Sequence, residues 1–309
     1  MDLSVRVGAL NLRSPLLLAS GFLDETAESM LRVWDAGAGG VVTKSIGKEP
    51  RRGHPNPSLV PVAGGYLNAM GLPNPGIDHF VDDVKRVVAK GAICIGSVFG
   101  GTDSEFQELT SRMDQAGAHA IELNVSCPHA KGYGTDIGCS PPLLKGVVTA
   151  ARAGTKKPMW VKLAPNVPNI AEMAKVAVDA GADGLTCINT LKAIAIDTET
   201  GMPRLGNKVG GFSGPGLKPI GVRAVWDVSQ ACPDTPVIGV GGIMNAADVV
   251  EYMMAGASAV QLGSVLIEKD LAAFTDINRD LKAWCQEHDV KRVSELTGRA
   301  RQERRAVAH

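Results

Sequence analysis

Apolar residues fall in short continuous runs at Leu16–Ala19, Gly40–Thr43, Ile93–Val98, Ala120–Asn124, Trp160–Leu163, Gly184–Ile188, Val237–Val240 and Ala259–Leu262. Runs of this length without polar alternation suit parallel strands covered on both faces. Between them apolar positions recur at helical spacing, as in Ile77–Ala89, Glu105–Ala116, Ile170–Ala180 and Ala247–Ala255. Asn245 is a suitable N-cap for the last of these. Four times a helical pattern ends in Ala-Gly-Ala, at 36–38, 116–118, 180–182 and 255–257. Glycine just past a helix end takes the left-handed conformation, so each phrase marks helix end, tight turn, next strand. The pattern predicts an α/β chain of eight parallel strands with crossover helices: a (β/α)8 TIM barrel, one domain over residues 1–309. A doubly wound open sheet is the alternative, weakened because no GxGxxG follows the first strand.

Two connections exceed bare strand-to-helix loops, Lys44–Gly76 and Asn189–Gly216. Both follow strands and so belong to the C-terminal face, where barrel sites lie. Within the second, Ala193–Asp197 and Met202–Leu205 around Thr200-Gly201 predict a small hairpin. Val5–Val7 and Asn11–Leu12 around Gly8 predict another, at the barrel bottom.

Composition narrows the function classes. The chain has 309 residues, 45 % of them apolar, enough for a full core. Its 32 basic and 32 acidic residues cancel, which removes the electrostatic footprint of a nucleic-acid binder. The basic cluster from Arg299 to Arg305 reads as a solvated helix end. Six cysteines stand at 94, 127, 139, 187, 232 and 285, none at CxxC spacing. Neither a structural zinc site nor an iron–sulfur cluster is supported, and no carboxylate or histidine run suggests another metal. Cys94 and Cys187 lie in apolar runs and are expected in the core. With no signal peptide and no apolar run of about 18 residues, the expectation is a soluble cytoplasmic protein without membrane contact.

The predicted strand ends carry the candidate chemistry. Ser20 and Gly21 follow the first run, Lys44 and Ser45 the second. Asn124 ends the fourth, Lys162 lies in the fifth, and Asn189 and Thr190 follow the sixth. Gly241-Gly242 and Gly263-Ser264 follow the last two, the place of the common barrel phosphate site. Cys127 sits on a turn stiffened by Pro128, placed either for chemistry or as a half-buried structural thiol. Lys162 among apolar neighbours suits a Schiff-base lysine or a fixed cation beside a cofactor, and Lys44 faces the same choice. Asn68, Asn74, Asn124 and Asn189 are expected at one mouth, where amides match the edge of a cyclic imide. Gly132, Gly134 and Gly138 read as a lid or an ordinary loop.

Together these residues resemble the dihydroorotate dehydrogenase family over essentially the whole chain. The matching phrases are Thr43-Lys44-Ser45, Asn68 to Asn74, Asn124-Val125-Ser126-Cys127-Pro128, Val161 to Asn166, Ile188-Asn189-Thr190, Gly210 to Gly214, Gly239 to Ile243 and Gln261-Leu262-Gly263-Ser264. The resemblance implies an FMN enzyme that oxidises dihydroorotate to orotate in pyrimidine synthesis, with Cys127 as the base of the soluble class. It implies FMN contacts at Ser20, Lys44, Ser45, Asn124, Lys162, Ile188, Gly214, Gly241, Gly242, Gly263 and Ser264. It implies substrate contacts at Lys44, Asn68, Met70, Gly71, Leu72, Asn124, Asn189 and Thr190. The segments Gly132 to Asp136 and Asn207-Lys208 are similar to the NAD-linked subfamily. That implies a homodimeric core in a heterotetramer with a subunit carrying FAD and an iron–sulfur cluster; the fumarate-using homodimeric subfamily is the other possibility.

Three positions depart from the pattern. His129 and Ser97 stand where asparagine is common, and Leu191-Lys192-Ala193-Ile194 lacks the usual glycine. His129 is also similar to the flavin domain of dihydropyrimidine dehydrogenase, which acts on uracil and thymine and is the alternative reading. Outside redox chemistry, an aldolase-like barrel using Lys162 or a non-catalytic phosphate-binding barrel would share the same strand ends.

Overall fold

The structure is a computed structural model that describes residues 1–125 and 135–301, without the side chains of 135 and 136. Eight parallel strands close a barrel in sequential order. They are β1 (Leu16–Leu18), β2 (Gly40–Val42), β3 (Cys94–Val98), β4 (Ala120–Asn124), β5 (Met159–Lys162), β6 (Gly184–Cys187), β7 (Val237–Val240) and β8 (Ala257–Leu262). β8 pairs with β1, Gln261 opposite Leu17, and β5 with β6, Lys162 opposite Thr186. Every residue of β1 to β7 is buried, which explains why these strands read as unbroken apolar runs.

The outer ring is α1 (Ala27–Asp35), α2 (Ile77–Ala89), α3 (Asp103–Gln115), α4 (Pro141–Ala153), α5 (Ile170–Asp179), α6 (Lys218–Ala231), α7 (Ala246–Ala255) and α8 (Ala272–Glu287). Thr26, Thr102, Asn169 and Asn245 each accept a backbone N–H in the first turn of α1, α3, α5 and α7, so four of these starts are written in capping residues. Gly37, Gly117, Gly181 and Gly256 have φ of +105°, +97°, +109° and +132°, as the Ala-Gly-Ala phrase requires. Burial of one aliphatic side chain is worth about 1.5–3 kcal/mol. Leu16, Leu17 and Leu18 are all fully buried, so the first strand alone anchors the barrel at three positions.

The hairpin at the bottom pairs Val5–Val7 with Leu10–Leu12 and lies against β8. At the mouth the structure departs from expectation. The two long insertions join in one antiparallel sheet, ordered Leu191–Ile194, Val209–Ser213, Gly65–Asn68, Leu59–Val62. It has a small core of its own, Val60, Leu67, Ala69 and Leu205. The hairpin expected around Thr200-Gly201 is present in its tip half: Ile196 bridges Pro203, the Asp197 N–H donates to the Met202 carbonyl and the Arg204 N–H to the Ala195 carbonyl. The regular partner of Leu191–Ile194 is instead Val209–Ser213. Glycine permits it: a Cβ at Gly211 would collide with Thr190, and one at Gly210 would sit 2.5 Å from the Asn68 carbonyl oxygen.

Candidate active site

Under this sheet, at the C-terminal ends of the strands, lies a cavity of about 260 Å³. Ser20 and Gly21 reach it from β1, Lys44 and Ser45 from β2, Asn124 from β4 and Lys162 from β5. Ile188, Asn189 and Thr190 arrive from β6, Gly241 and Gly242 from β7, and Gly263 and Ser264 from β8. The sheet supplies Asn68 and the turn Met70-Gly71-Leu72. A barrel brings all strand ends to one face, so residues spread over 245 positions of the chain, from 20 to 264, converge.

Ser45 is the hub of the polar network. Its hydroxyl shares hydrogen bonds with Ser20 (3.2 Å) and Ser97 (2.8 Å) and accepts from Asn124 Nδ2 at 3.0 Å. Asn189 Nδ2 donates to Asn124 Oδ1 at 3.4 Å, and Asn189 Oδ1 accepts the Thr190 N–H at 2.8 Å. Ser97 is fully buried behind Ser45 and does not line the cavity. A serine there thus supports its neighbour from below.

The two lysines differ in setting. Lys44 Nζ lies 3.1 Å from Glu25 Oε1 at the rim. Lys162 Nζ donates to Gln261 Oε1 at 3.2 Å and stands 3.9 Å from Glu122 Oε1 inside the barrel. Glu122 Oε2 accepts from Thr186 Oγ1 (2.9 Å) and from Gln261 Nε2 (2.6 Å). The sequence assigns no site role to Glu122 or to Gln261, although a carboxylate inside a buried apolar run is itself a signal.

The Gly241-Gly242 turn has φ of +128° and +69°. Tyr252 from α7 donates its hydroxyl to the Gly241 carbonyl at 2.7 Å. Burial pushes the Tyr252 phenol well above its ordinary range, so it remains a donor. Burial likewise pushes the Cys94 thiol up to about 12 and raises Cys187, as suits core cysteines.

Some expected positions fall elsewhere. Gly214 does not line the cavity; its carbonyl oxygen lies 2.6 Å from where a Cβ on Gly242 would stand, so it backs that turn. Asn74 is spent on its own loop: Oδ1 accepts the N–H of Gly47 and Gly76, and Nδ2 donates to the Leu72 carbonyl. Gly138 sits in the short helix Thr135–Cys139, where a Cβ would come 2.7 Å from the Val125 carbonyl oxygen. Close packing therefore explains that glycine without a lid. Cys127, His129, Gly132 and Gly134 lie outside the described residues.

A family model for dihydroorotate dehydrogenase matches residues 2–284. The chain belongs to the dihydroorotate dehydrogenase family. One relative, the catalytic subunit of dihydroorotate dehydrogenase B (NAD(+)) from Methanocella arvoryzae, is 45 % identical over 300 residues, covering 97 % of this chain and 98 % of that protein. The protein of the same name from Thermococcus kodakarensis is 46 % identical over 298 residues, covering 96 % and 98 %. A crystal structure of DHODH from Eimeria tenella in complex with ferulenol shares the fold, with a TM-score of 0.84 at 23 % identity, covering 96 % of this chain and 88 % of that one. Membership of the dihydroorotate dehydrogenase family makes the chain an oxidoreductase. Among the described residues no helix is long and apolar enough to cross a membrane.

Proposed function

We propose that this chain is the FMN-binding catalytic subunit of a dihydroorotate dehydrogenase, oxidising dihydroorotate to orotate in pyrimidine synthesis. The observation that carries the reading is one cavity holding two buried lysines, three asparagines and two glycine turns. The relatives' names, all NAD(+)-linked catalytic subunits, do not favour the uracil-type alternative.

The residues present fit FMN. The Gly241-Gly242 turn offers backbone N–H groups to a phosphate, and a Cβ at Gly263 would meet nothing closer than 3.6 Å, where Ala19 and Phe22 lie. A Cβ at Gly21 would meet nothing within 4 Å. Such open glycines beside a cavity leave room for a ligand rather than for the protein. Gly241, Gly242, Gly263 and Ser264 would hold the phosphate end, with Gly214 supporting their turn from behind. Ser20, Lys44, Ser45, Asn124, Lys162 and Ile188 would hold the rest. FMN, when bound, supplies the two-electron acceptor.

The chain's own residues divide the remaining work. Lys44 offsets the substrate carboxylate. Asn68, Asn124, Asn189 and Thr190 read the amide and imide edges, while Met70, Gly71 and Leu72 close over the substrate. Cys127 takes the proton from the ring carbon next to the one that gives up hydrogen with its electron pair. Lys162, donating to Gln261 and facing a carboxylate, has the setting of a fixed cation, which supports that role over a Schiff base. Electrons then leave through a separate subunit carrying FAD and an iron–sulfur cluster, around a homodimeric core.

Flavin released by heat and identified by chromatography tests the cofactor, with FMN expected and FAD or no flavin overturning it. Anaerobic addition of dihydroorotate is expected to bleach the flavin, and dihydrouracil to leave it oxidised. An equal response to dihydrouracil would promote the dihydropyrimidine dehydrogenase reading.

A further inference from the structure

Glu122 is fully buried inside the barrel and does not line the cavity. A buried carboxylate is costly unless it is paired and hydrogen-bonded. Its Oε2 is satisfied twice, by Thr186 of β6 and by Gln261 of β8. Its Oε1 has no hydrogen-bond partner and faces Lys162 Nζ of β5 at 3.9 Å, beyond hydrogen-bond reach. An apolar side chain would fill this space without either cost, so packing alone does not account for the residue.

The link to Lys162 runs through one amide. A carboxylate only accepts, so it draws the Gln261 Nε2 group toward itself and turns Oε1 the other way. That oxygen is the acceptor for Lys162 Nζ at 3.2 Å. Of the three residues tied to Glu122, Lys162 and Gln261 line the cavity and Thr186 does not. We infer that Glu122 is a positioning residue: it orients the Gln261 amide and so fixes the Lys162 ammonium at the cavity floor, where it stabilises negative charge on a bound flavin ring.

This inference rests on the reading that the cavity holds FMN, and a chemical probe separates the two. Sulfite adds to a bound flavin and leaves negative charge on the ring, so its affinity reports the cation beside the ring without turnover. Sulfite dissociation constants, read from flavin bleaching, would be measured in the parent, Glu122→Gln, Lys162→Met and the double variant. Glu122→Gln is expected to weaken sulfite binding about tenfold, the scale of one charged hydrogen bond. In the Lys162→Met background the same change is expected to shift it less than about twofold, because residues acting through one partner are not additive. Equal loss in both backgrounds, or none in flavin-loaded Glu122→Gln, would overturn the role of Glu122 alone. A folded parent that takes up no FMN would overturn the cofactor reading and this inference with it. Should Glu122→Gln fail to fold, Gln261→Leu breaks the same relay, and its cycle with Lys162→Met carries the same expectations.

Discussion

Lys44 Nζ and Glu25 Oε1 stand 3.1 Å apart, with the lysine side chain 7 % exposed and the carboxylate 64 %. The pair is lopsided: a buried cation held by a carboxylate that lies mostly in water. Glu25 is mostly solvated, so its pull on the lysine is largely screened and an anionic ligand can displace it cheaply. Removing a partner from a desolvated charge pair costs far more, about 3–5 kcal/mol. Lys44→Ala is therefore expected to weaken dihydroorotate binding strongly and dihydrouracil binding little, while Glu25→Gln tightens dihydroorotate by about twofold to fivefold at low salt. Flavin titrations with both compounds check this; parallel losses for the two compounds in Lys44→Ala would remove the lysine from carboxylate recognition.

Cys127 carries the proton-transfer prediction. Cys127→Ser is expected to retain FMN and to slow flavin reduction by dihydroorotate by about 10²–10⁴-fold, the usual contribution of a general base. A serine hydroxyl is a far weaker acid than a thiol and is rarely available as the anion. Rapid mixing of the reductive half-reaction measures it. A variant within about twofold of the parent would take Cys127 out of the mechanism.

The barrel was legible because its signals are local. Each apolar run is one strand, and Ala-Gly-Ala at 36–38 or 180–182 already contains the turn that Gly37 and Gly181 make. The mouth sheet was not legible, because its register joins distant residues, Phe212 with Leu67 and Leu191 with Phe212. Local pattern reaches only the short-range part of it, the pairing of 195–197 with 202–204 around Thr200-Gly201. Strand-end residues such as Ser20, Asn124 and Gly242 could be placed because the barrel gathers them whatever the loops do. Residue type alone puts Asn74 in the same mouth, yet its amide is consumed by the backbone of its own turn. Glu122 and Gln261 take no site role from the sequence because their runs read as packing, and only three-dimensional pairing reveals a buried polar chain.

Tyr252 fixes the turn that would cradle the phosphate. Its hydroxyl meets the Gly241 carbonyl at 2.7 Å, and a Cβ at Gly221 or Gly239 would collide with its ring or hydroxyl. Tyr252→Phe leaves that carbonyl without its donor, a loss of about 1–3 kcal/mol when the group is buried. The variant is expected to melt lower and to release FMN about tenfold more readily. Thermal unfolding and flavin titration check the two effects separately. Lower stability with unchanged FMN affinity would mean that the turn holds its shape without Tyr252.

Asp24 gives the pH prediction. It lies fully buried in the loop after β1, with Oδ2 accepting the Gly21 N–H and Oδ1 without a hydrogen-bond partner. Burial raises its pKa above the ordinary 3.8, partly opposed by the Lys44 charge and the Gly21 hydrogen bond. An acid whose pKa is higher in the folded state takes up a proton on folding. The stability from that proton is complete below the unfolded pKa and is lost as pH rises through the folded one. Once deprotonated, above that folded pKa, the parent carries a buried carboxylate with one oxygen unsatisfied. Asp24→Asn keeps an acceptor for Gly21 and cannot ionise. It is expected to raise Tm by roughly 2–4 °C on the alkaline side of the folded pKa, to change it little at about pH 4, and to flatten the slope between them. Melting curves from about pH 4 into the alkaline range decide the matter. A lower Tm for the variant on the alkaline side would show that the attraction of Lys44 for the Asp24 charge outweighs the cost of its burial.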